Sequence, residues 1–354
     1  MSDAAVMQVG SVRPAGKDDY RKKLADAFIQ ALQENDFTWK KEWSHDKLPR
    51  NAVTNRKYSG VNQFALMLIA SLRGYDDPRW LTMNQIMDKK EQYHKGQTWH
   101  LQRGSKATYV EYWYPYDWVN KIALTWDDMK KISKDPNYDP SQYTLRTKYF
   151  AVFNASCVDG IPPMESEKNN DIQPAQILDT ITKNMGVTLK YDGGNRAYYS
   201  PSSDEVHLPE PSQFYSEYAY QATAFHELAH ATGHPDRLDR DQSGFFGTPA
   251  YAFEELVAEI TSCFTAAGVG LEQTTEHMEN HKAYVQSWIQ ALQKDPNKLI
   301  DAIRLAEDAA SYLDWKAELI SEKEFRTTKS EKLPKELQKE TEKEQIRERN
   351  GEAR

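Results

Sequence analysis

His226–Glu227–Leu228–Ala229–His230 is the stretch that decides how this chain is read. Around it, Ala222, Phe225 and Ala229 recur at helical spacing and Gly233 supplies a stop, so the pentad is predicted to lie on a helix with one buried stripe. On such a helix the two imidazoles stand one turn apart on the same face and can grip one Zn²⁺ at ~2.0–2.1 Å. Glu227 lies one position round from His226, off the ligand direction. Its carboxylate there suits a general base that takes a proton from water activated at the metal and passes it to a leaving amine.

A catalytic zinc takes three protein ligands besides water, and the sequence offers His234, Asp236 and Glu255 as the third. Asp236 completes His-Glu-x-x-His-x-x-Gly-x-x-Asp, a metzincin-like spacing, yet no clear Met-turn follows; Met278 lies in a charged stretch. Glu255 stands in Tyr251–Ala252–Phe253–Glu254–Glu255–Leu256–Val257–Ala258–Glu259, far enough beyond His230 for a loop and a returning helix. Phe253, Leu256, Val257, Ile260 and Phe264 form the apolar side of that helix. Glu255 and Glu259 share a face at i and i+4, which suits one metal ligand and one acceptor for the Nδ1–H of a ligand histidine. The layout matches the gluzincin pattern, and the reading takes Glu255 as ligand with Asp236 next. The bland reading of Glu254, Glu255 and Glu259 is a solvated helix face. Tyr251 or His234 could stabilise an oxyanion, and the strand expected at Glu205–Leu208 could pair with an extended peptide.

Working outward, the 354 residues predict two domains and need no disulfide scaffold. Cys157 and Cys263 are far apart with no metal-ligand spacing around them, which fits a reducing compartment. The longest apolar run, Phe64 to Leu72, is too short to span a bilayer, and the first twenty residues lack the apolar core of a secretory signal. A cytoplasmic protein with no membrane partner is expected. The net charge of −8 is split, with +5 over 1–163 and −15 over 164–325, as if the halves had different work.

The expected organisation is α+β. A domain over 17–163 opens with a helix carrying Leu24, Phe28, Ile29 and Leu32, then a buried helix from Val61 to Leu72 stopped by Gly74, then strands. A polar linker follows at 164–173, then a mainly helical domain over 174–325 with a few short strands, and a charged, disordered tail over 326–354. Between 99 and 126, Trp99, Tyr109, Tyr112, Trp113, Tyr114, Tyr116, Trp118 and Trp126 are interleaved with Arg103, Lys106 and Lys121, and Lys89, Lys90 and Lys95 lie just upstream. Aromatic platforms among cations are how single-stranded nucleic acid is held, although an aromatic stripe on a strand is often core.

These residues also carry a resemblance. Tyr58–Ser59–Gly60–Val61–Asn62, Gly74–Tyr75, Trp80–Leu81–Thr82–Met83–Asn84–Gln85, Arg103–Gly104–Ser105–Lys106–Ala107–Thr108 and Tyr149–Phe150–Ala151–Val152–Phe153–Asn154 resemble the N-terminal domain of ArdC-type antirestriction proteins, a domain that also occurs in TraC-type plasmid primases. Ala197–Tyr198–Tyr199–Ser200–Pro201, Val206–His207–Leu208–Pro209 and the two helices bearing the histidines and glutamates resemble that family's zincin-like metallopeptidase domain. The resemblance implies single-stranded DNA binding by the first domain, with Asn62, Trp99, Arg103, Lys106, Tyr112, Trp113 and Trp118 as contact candidates. It also implies a zinc metalloprotease-like second domain and a role in protecting incoming plasmid or phage DNA from restriction. The segment from Tyr112 to Tyr143 is longer and more aromatic than the family pattern, and no primase catalytic domain is seen. The competing readings are a DNA-binding interaction protein with a non-catalytic metal site and a metallopeptidase with no nucleic-acid role.

Overall fold

The computed structural model describes residues 16–33, 48–88, 96–164, 174–192, 194–245, 248–269 and 282–330. Most of the expected linker, the tail from 331, Lys89, Lys90, Lys95 and Met278 lie outside the described residues. The chain is α+β, as its sequence predicts, and clusters into two compact units. One comprises the segments up to Tyr109 and from Ala151 to Ser321; the other comprises Val110–Phe150 together with the C-terminal helix. These units do not coincide with the sequence segments 17–163 and 174–325. The reason is apolar burial that joins distant parts of the chain.

Helix α1 (Lys17–Gln33) buries Leu24, Phe28, Ile29 and Leu32, and its Lys23–Asp19 and Lys22–Asp26 pairs run along the solvated side. Helix α2 (Gly60–Arg73) buries Val61 and every residue from Phe64 to Ile69. It ends at Gly74 in the left-handed conformation (φ 63°), whose N–H meets Ala70 O and Ser71 O. Phe28 meets Phe64 edge-on at 5.4 Å. Such helices need cover, and helices far along the chain supply it: α1 packs on α8 (Lys282–Lys294), and α2 on α9 (Asn297–Lys316). The same α9 also packs against α7 (Pro249–Gly268), α5 (Pro174–Met185) and α6 (Glu217–Ala231).

In this first unit β1 (Arg50–Asn51) runs parallel to β2 (Arg79–Thr82). Strand β2 pairs antiparallel with the end of β6 (Tyr143–Asn154), with Leu81 opposite Phe153. The four-residue α3 (Met83–Ile86) follows β2, and β3 (His100–Leu101) pairs with β7 (Val158–Asp159). Leu81, Ile86, Trp99, Phe153, Ala155 and Val158 form one buried cluster there. A three-stranded sheet, ordered β8 (Thr188–Tyr191), β10 (Glu205–Leu208), β9 (Tyr198–Ser200), packs against α6 through β9 and β10.

In the second unit β4 (Thr108–Asp117) turns into β5 (Ile122–Ala123) and leads to α4 (Trp126–Ile132) and β6. Asp117 accepts hydrogen bonds from Asn120 N (2.9 Å) and Nδ2 (2.8 Å) at the turn. Thr125 and Asp128 form a capping box at the start of α4. Met129 and Tyr143 form a buried cluster here, with Leu124, Ile132 and Tyr138 packed on them. Helix α10 (Glu322–Ser330) is assigned to this unit. Among the described residues no helix is long and apolar enough to cross a membrane.

Candidate metal centre

Helix α6 carries the histidine pentad in its last turns. Ser216 caps its start, its hydroxyl accepting from Ala219 N at 3.1 Å, and the chain leaves it at Thr232–Gly233. Helix α7 lies across it and is buried nearly all round, which is why its acids do not form a solvated face. Glu254, Glu255 and Glu259 are 8%, 7% and 3% exposed.

His226 Nε2 lies 3.5 Å from Glu255 Oε2, and His230 Nε2 lies 3.7 Å from Glu255 Oε1. One donor atom from each of the three residues falls within 4.8 Å of the others, a set that could hold a metal ion. Two imidazoles and one carboxylate are the donor chemistry that suits a divalent cation of borderline character, so the residues fit the group the pentad implies. Asp236 is not brought to this point. Its side chain is 91% exposed and faces His234 Nδ1 at 3.7 Å in the turn after α6. His234 stays with it, its Nδ1 accepting from Asp236 N at 3.2 Å.

Behind each histidine stands a carboxylate of α7. His226 Nδ1 lies 3.4 Å from Glu259 Oε2, and His230 Nδ1 lies 3.3 Å from Glu254 Oε1. The His230–Glu254 contact is a hydrogen bond, whereas His226 Nδ1 faces Glu259 without hydrogen-bond alignment; in both rings Nε2 is the atom turned to Glu255. Glu254 also anchors Arg240, whose Nη2 lies 2.7 Å from Oε1 and Nε 3.2 Å from Oε2. The same guanidinium bonds Thr232 Oγ1 (2.6 Å) and Ala229 O (2.7 Å). Gln242 Nε2 adds bonds to His230 O (2.8 Å) and Glu254 Oε1 (3.1 Å). Gly233 makes room for this return: a β-carbon there would sit 2.6 Å from Gln242 Nε2. Burial alone would raise the Glu254 carboxyl, but the bonds and charges of His230 and Arg240 outweigh it and hold it at about 2. Burial likewise opposes the charge on Glu255, and the two histidines outweigh it, so its carboxyl is lowered.

Glu227 lies on the wall of the same cavity as both histidines. It is buried, and desolvation, reinforced by the Glu255 charge and countered by His226 and the Tyr199 backbone bond, lifts its carboxyl to about 7. A cavity of about 460 Å³ opens here, lined by Glu227, both histidines, Tyr198, Tyr251 and Tyr284 among others. Tyr251 bonds Glu255 and Tyr284; burial first, then the Glu255 charge, holds its proton well above the ordinary range. His234 is not among the lining residues. Strand β10, expected to pair with a peptide, is the middle strand of its sheet, with β8 on one side and β9 on the other. Among the described residues the sheet has two edge strands, β8 and β9, and β9 lines the cavity through Tyr198 and Tyr199. Glu254, Arg240, Gln242 and Tyr284 were not picked out by sequence reasoning, because each acquires its partner only across the fold.

The expected nucleic-acid residues divide between the units: Asn62, Trp99, Arg103 and Lys106 in the first, Tyr112, Trp113 and Trp118 in the second. Trp99 is 8% exposed inside the Leu81–Phe153 cluster, so it packs the core and offers no ring to a base. Arg103 and Lys106 are exposed, and Asn62 is half-buried. Tyr112 is exposed, Trp118 half-buried, and Trp113 bonds Glu111 Oε1 through Nε1 at 2.9 Å.

Residues 18–153 match the family model for the N-terminal domain of the anti-restriction factor ArdC, and residues 176–305 match that for a zincin-like metallopeptidase. The chain belongs to the ArdC-type antirestriction family. It superposes on the antirestriction ArdC protein of plasmid R388 in its metal-free form, with TM-score 0.63 and 28% identity, covering 86% of this chain and 99% of that one. For the Mn(II)-bound form the TM-score is 0.61 at 29% identity, covering 84% and 97%. The uncharacterised protein y4eC of Sinorhizobium fredii is 30% identical over 306 residues, 85% of this chain and 92% of that protein. DNA primase TraC of Escherichia coli is 35% identical over 308 residues, 84% of this chain, but the match spans 27% of the primase.

Proposed function

We propose that this chain is an antirestriction protein of a mobile element that binds single-stranded DNA and carries a zinc-dependent metallopeptidase, acting in the cytoplasm to protect incoming DNA from host restriction. In this reading residues 17–163 carry the DNA-binding domain and 174–325 the peptidase. The observation that carries it is the convergence of His226, His230 and Glu255 at one point, with Glu227 buried beside them on the cavity wall. The likeness to the ArdC protein of plasmid R388, which has a Mn(II)-bound form, supports a divalent ion in this chain as well.

Held by His226, His230 and Glu255, such an ion supplies Lewis-acid polarisation of a carbonyl and acidifies the attacking water. The chain's own residues do the rest. Glu259 and Glu254 keep the imidazoles in one tautomer and orientation. Glu227, at about 7, is poised to accept the water proton on its carboxylate and release it to the leaving amine. The Tyr251 hydroxyl, with its proton held tightly, can donate to an oxyanion. The cavity-side edge of β9, where the Tyr199 backbone is bonded to Glu227, is the place for an extended peptide to lie beside the general base. The likeness to primases is confined to the shared region, and no priming activity is proposed. The test is metal analysis and proteolysis of a protein substrate by the zinc-loaded chain, alone and with a single-stranded oligonucleotide. Cleavage that is abolished in Glu227→Gln with its metal content unchanged is expected. A wild-type chain that retains no divalent ion after dialysis would overturn the reading.

A further inference from the structure

The second unit carries a feature that the metal centre does not use. Even-numbered residues of β4 and its continuation, Tyr112, Tyr114, Tyr116 and Trp118, share one face with even-numbered residues of β6, Arg146, Lys148 and Phe150. The contacts are rungs across neighbouring strands. Arg146 Cζ lies 3.6 Å from the Tyr116 ring centroid and 4.8 Å from that of Trp118. Lys148 Nζ lies 4.3 Å from the Tyr114 ring, and Tyr112 meets Phe150 at 6.1 Å. Tyr112 and Tyr114 are 6.5 Å apart with planes within 10°. As one strand number rises the other falls, the pattern of an antiparallel pair.

Core packing does not account for this face. Tyr143 is odd-numbered and packs with Met129 on the opposite side of the strand; on the even-numbered face Thr144 is buried at the start of β6, and burial falls away from there, with Arg146, Tyr114 and Tyr116 half-buried. Tyr112 and Phe150 are 46% and 45% exposed, and Lys148 is exposed. Positions 112, 114, 116, 118, 144, 146, 148 and 150 hold five aromatic residues, two cations, a threonine and no acid. Rings at intervals of about two strand residues, each with a cation or a second ring opposite, complement a polyanion whose bases have exposed π faces. The ring interval is roughly twice the 3.4 Å rise of a stacked strand, which suits bases drawn out along the sheet.

We propose that this β4–β6 face is the surface that takes single-stranded DNA, with bases stacked on Tyr112, Tyr114 and Tyr116 and phosphates held by Arg146 and Lys148. It rests on the single-stranded DNA reading above and moves the binding surface away from Trp99. Arginine and lysine in cation–π contact keep N–H groups free for phosphate oxygens while their stems hold the rings upright.

The experiment is anisotropy of a fluorescein-labelled 15-nucleotide oligo(dT) titrated at low salt with the full chain and its variants, together with ultraviolet crosslinking and peptide mapping. Tyr114→Ala is expected to weaken binding about 5- to 150-fold, whereas Tyr114→Phe keeps a stacking ring and should bind within about threefold of wild type. Arg146→Glu with Lys148→Glu should weaken it further and flatten the salt dependence by about 1.4 in log–log slope. Crosslinks should fall within residues 110–150. If the wild-type chain binds and Tyr114→Ala and the double reversal bind equally well, or the crosslinks map elsewhere, the placement is wrong while DNA binding stands. If only the charge reversal weakens binding, the face attracts but does not stack, and the platform is overturned. If the wild-type chain does not bind at all, the DNA reading itself fails.

Discussion

Replacing Glu254 by alanine removes the one carboxylate that holds both a candidate ligand histidine and a buried arginine. His230 Nδ1 loses its acceptor at 3.3 Å, Gln242 Nε2 loses one at 3.1 Å, and Arg240 loses contacts at 2.7 and 3.2 Å. The Arg240 side chain is 4% exposed, so its charge is left inside the protein without a counterion. Stranding one partner of a buried pair costs about 3–5 kcal/mol. The retained bonds to Thr232 Oγ1 and Ala229 O place Arg240 at the lower end, about 3 kcal/mol, or ~6–12 °C in melting temperature for a body of this size. Freed from its acceptor, His230 should also bind the ion about 10- to 100-fold more weakly. The double variant Glu254→Leu with Arg240→Met separates the two effects, because apolar replacement of a whole buried pair is often neutral. It should recover most of the melting temperature in chelator and none of the metal affinity. Calorimetric melting without metal and competitive chelator titration with zinc read the two quantities. A single variant that melts and binds like wild type, or a double variant that regains full affinity, would refute the argument that Glu254 positions His230.

Glu227→Gln should retain the divalent ion and lose at least ~10²-fold in peptide hydrolysis, since only the proton acceptor is removed; metal analysis and a protease assay check it. Glu255→Ala should strip the ion far more than Asp236→Ala, whose carboxylate is exposed; equal retention in a dialysis assay would count against Glu255 as a ligand. Asp204 accepts from Arg237 at 2.5 and 2.8 Å and from the Tyr199 hydroxyl at 2.7 Å. Burial opposes its charge, but these bonds outweigh it and lower its carboxyl below the ordinary value. A depressed carboxylate stabilises the folded chain above its unfolded value of about 3.9 and loses that contribution as pH falls through the folded one. Asp204→Asn should therefore melt lower than wild type near neutral pH, and the gap should close in melts run below about pH 4.

Much of the candidate metal centre was readable because it is local. A helix of 3.6 residues per turn puts His226 beside His230 and Glu255 beside Glu259 wherever those helices go. The helices themselves were readable from apolar spacing: Leu24, Phe28 and Leu32 on α1, and the run of α2 ended by Gly74. Other features were not readable in this way. Glu254 looked like a solvated acid because its neighbour in sequence says nothing about Arg240, which reaches it only after the chain turns back beneath the end of α6. Trp99 looked like a stacking ring because a strand's aromatic residues have two sides, and only the closing of β2, β6 and β7 around it decided which side was buried. The same ambiguity hid Arg146 and Lys148, separated from the tyrosines by a helix and a loop.

The order of residues alone determined the chemistry at hand: two imidazoles one turn apart, a carboxylate next to the first of them, a paired-glutamate helix, and a run of aromatic residues among cations. The tertiary structure decided which acid turns inward to complete the set, by laying α7 across α6 so that Glu255 faces both Nε2 atoms while Asp236 stays in solvent. It also decided that α1 and α2 find their cover on α8 and α9, because amphipathic faces bury themselves against whatever apolar surface the folded chain brings near, whatever its distance in sequence.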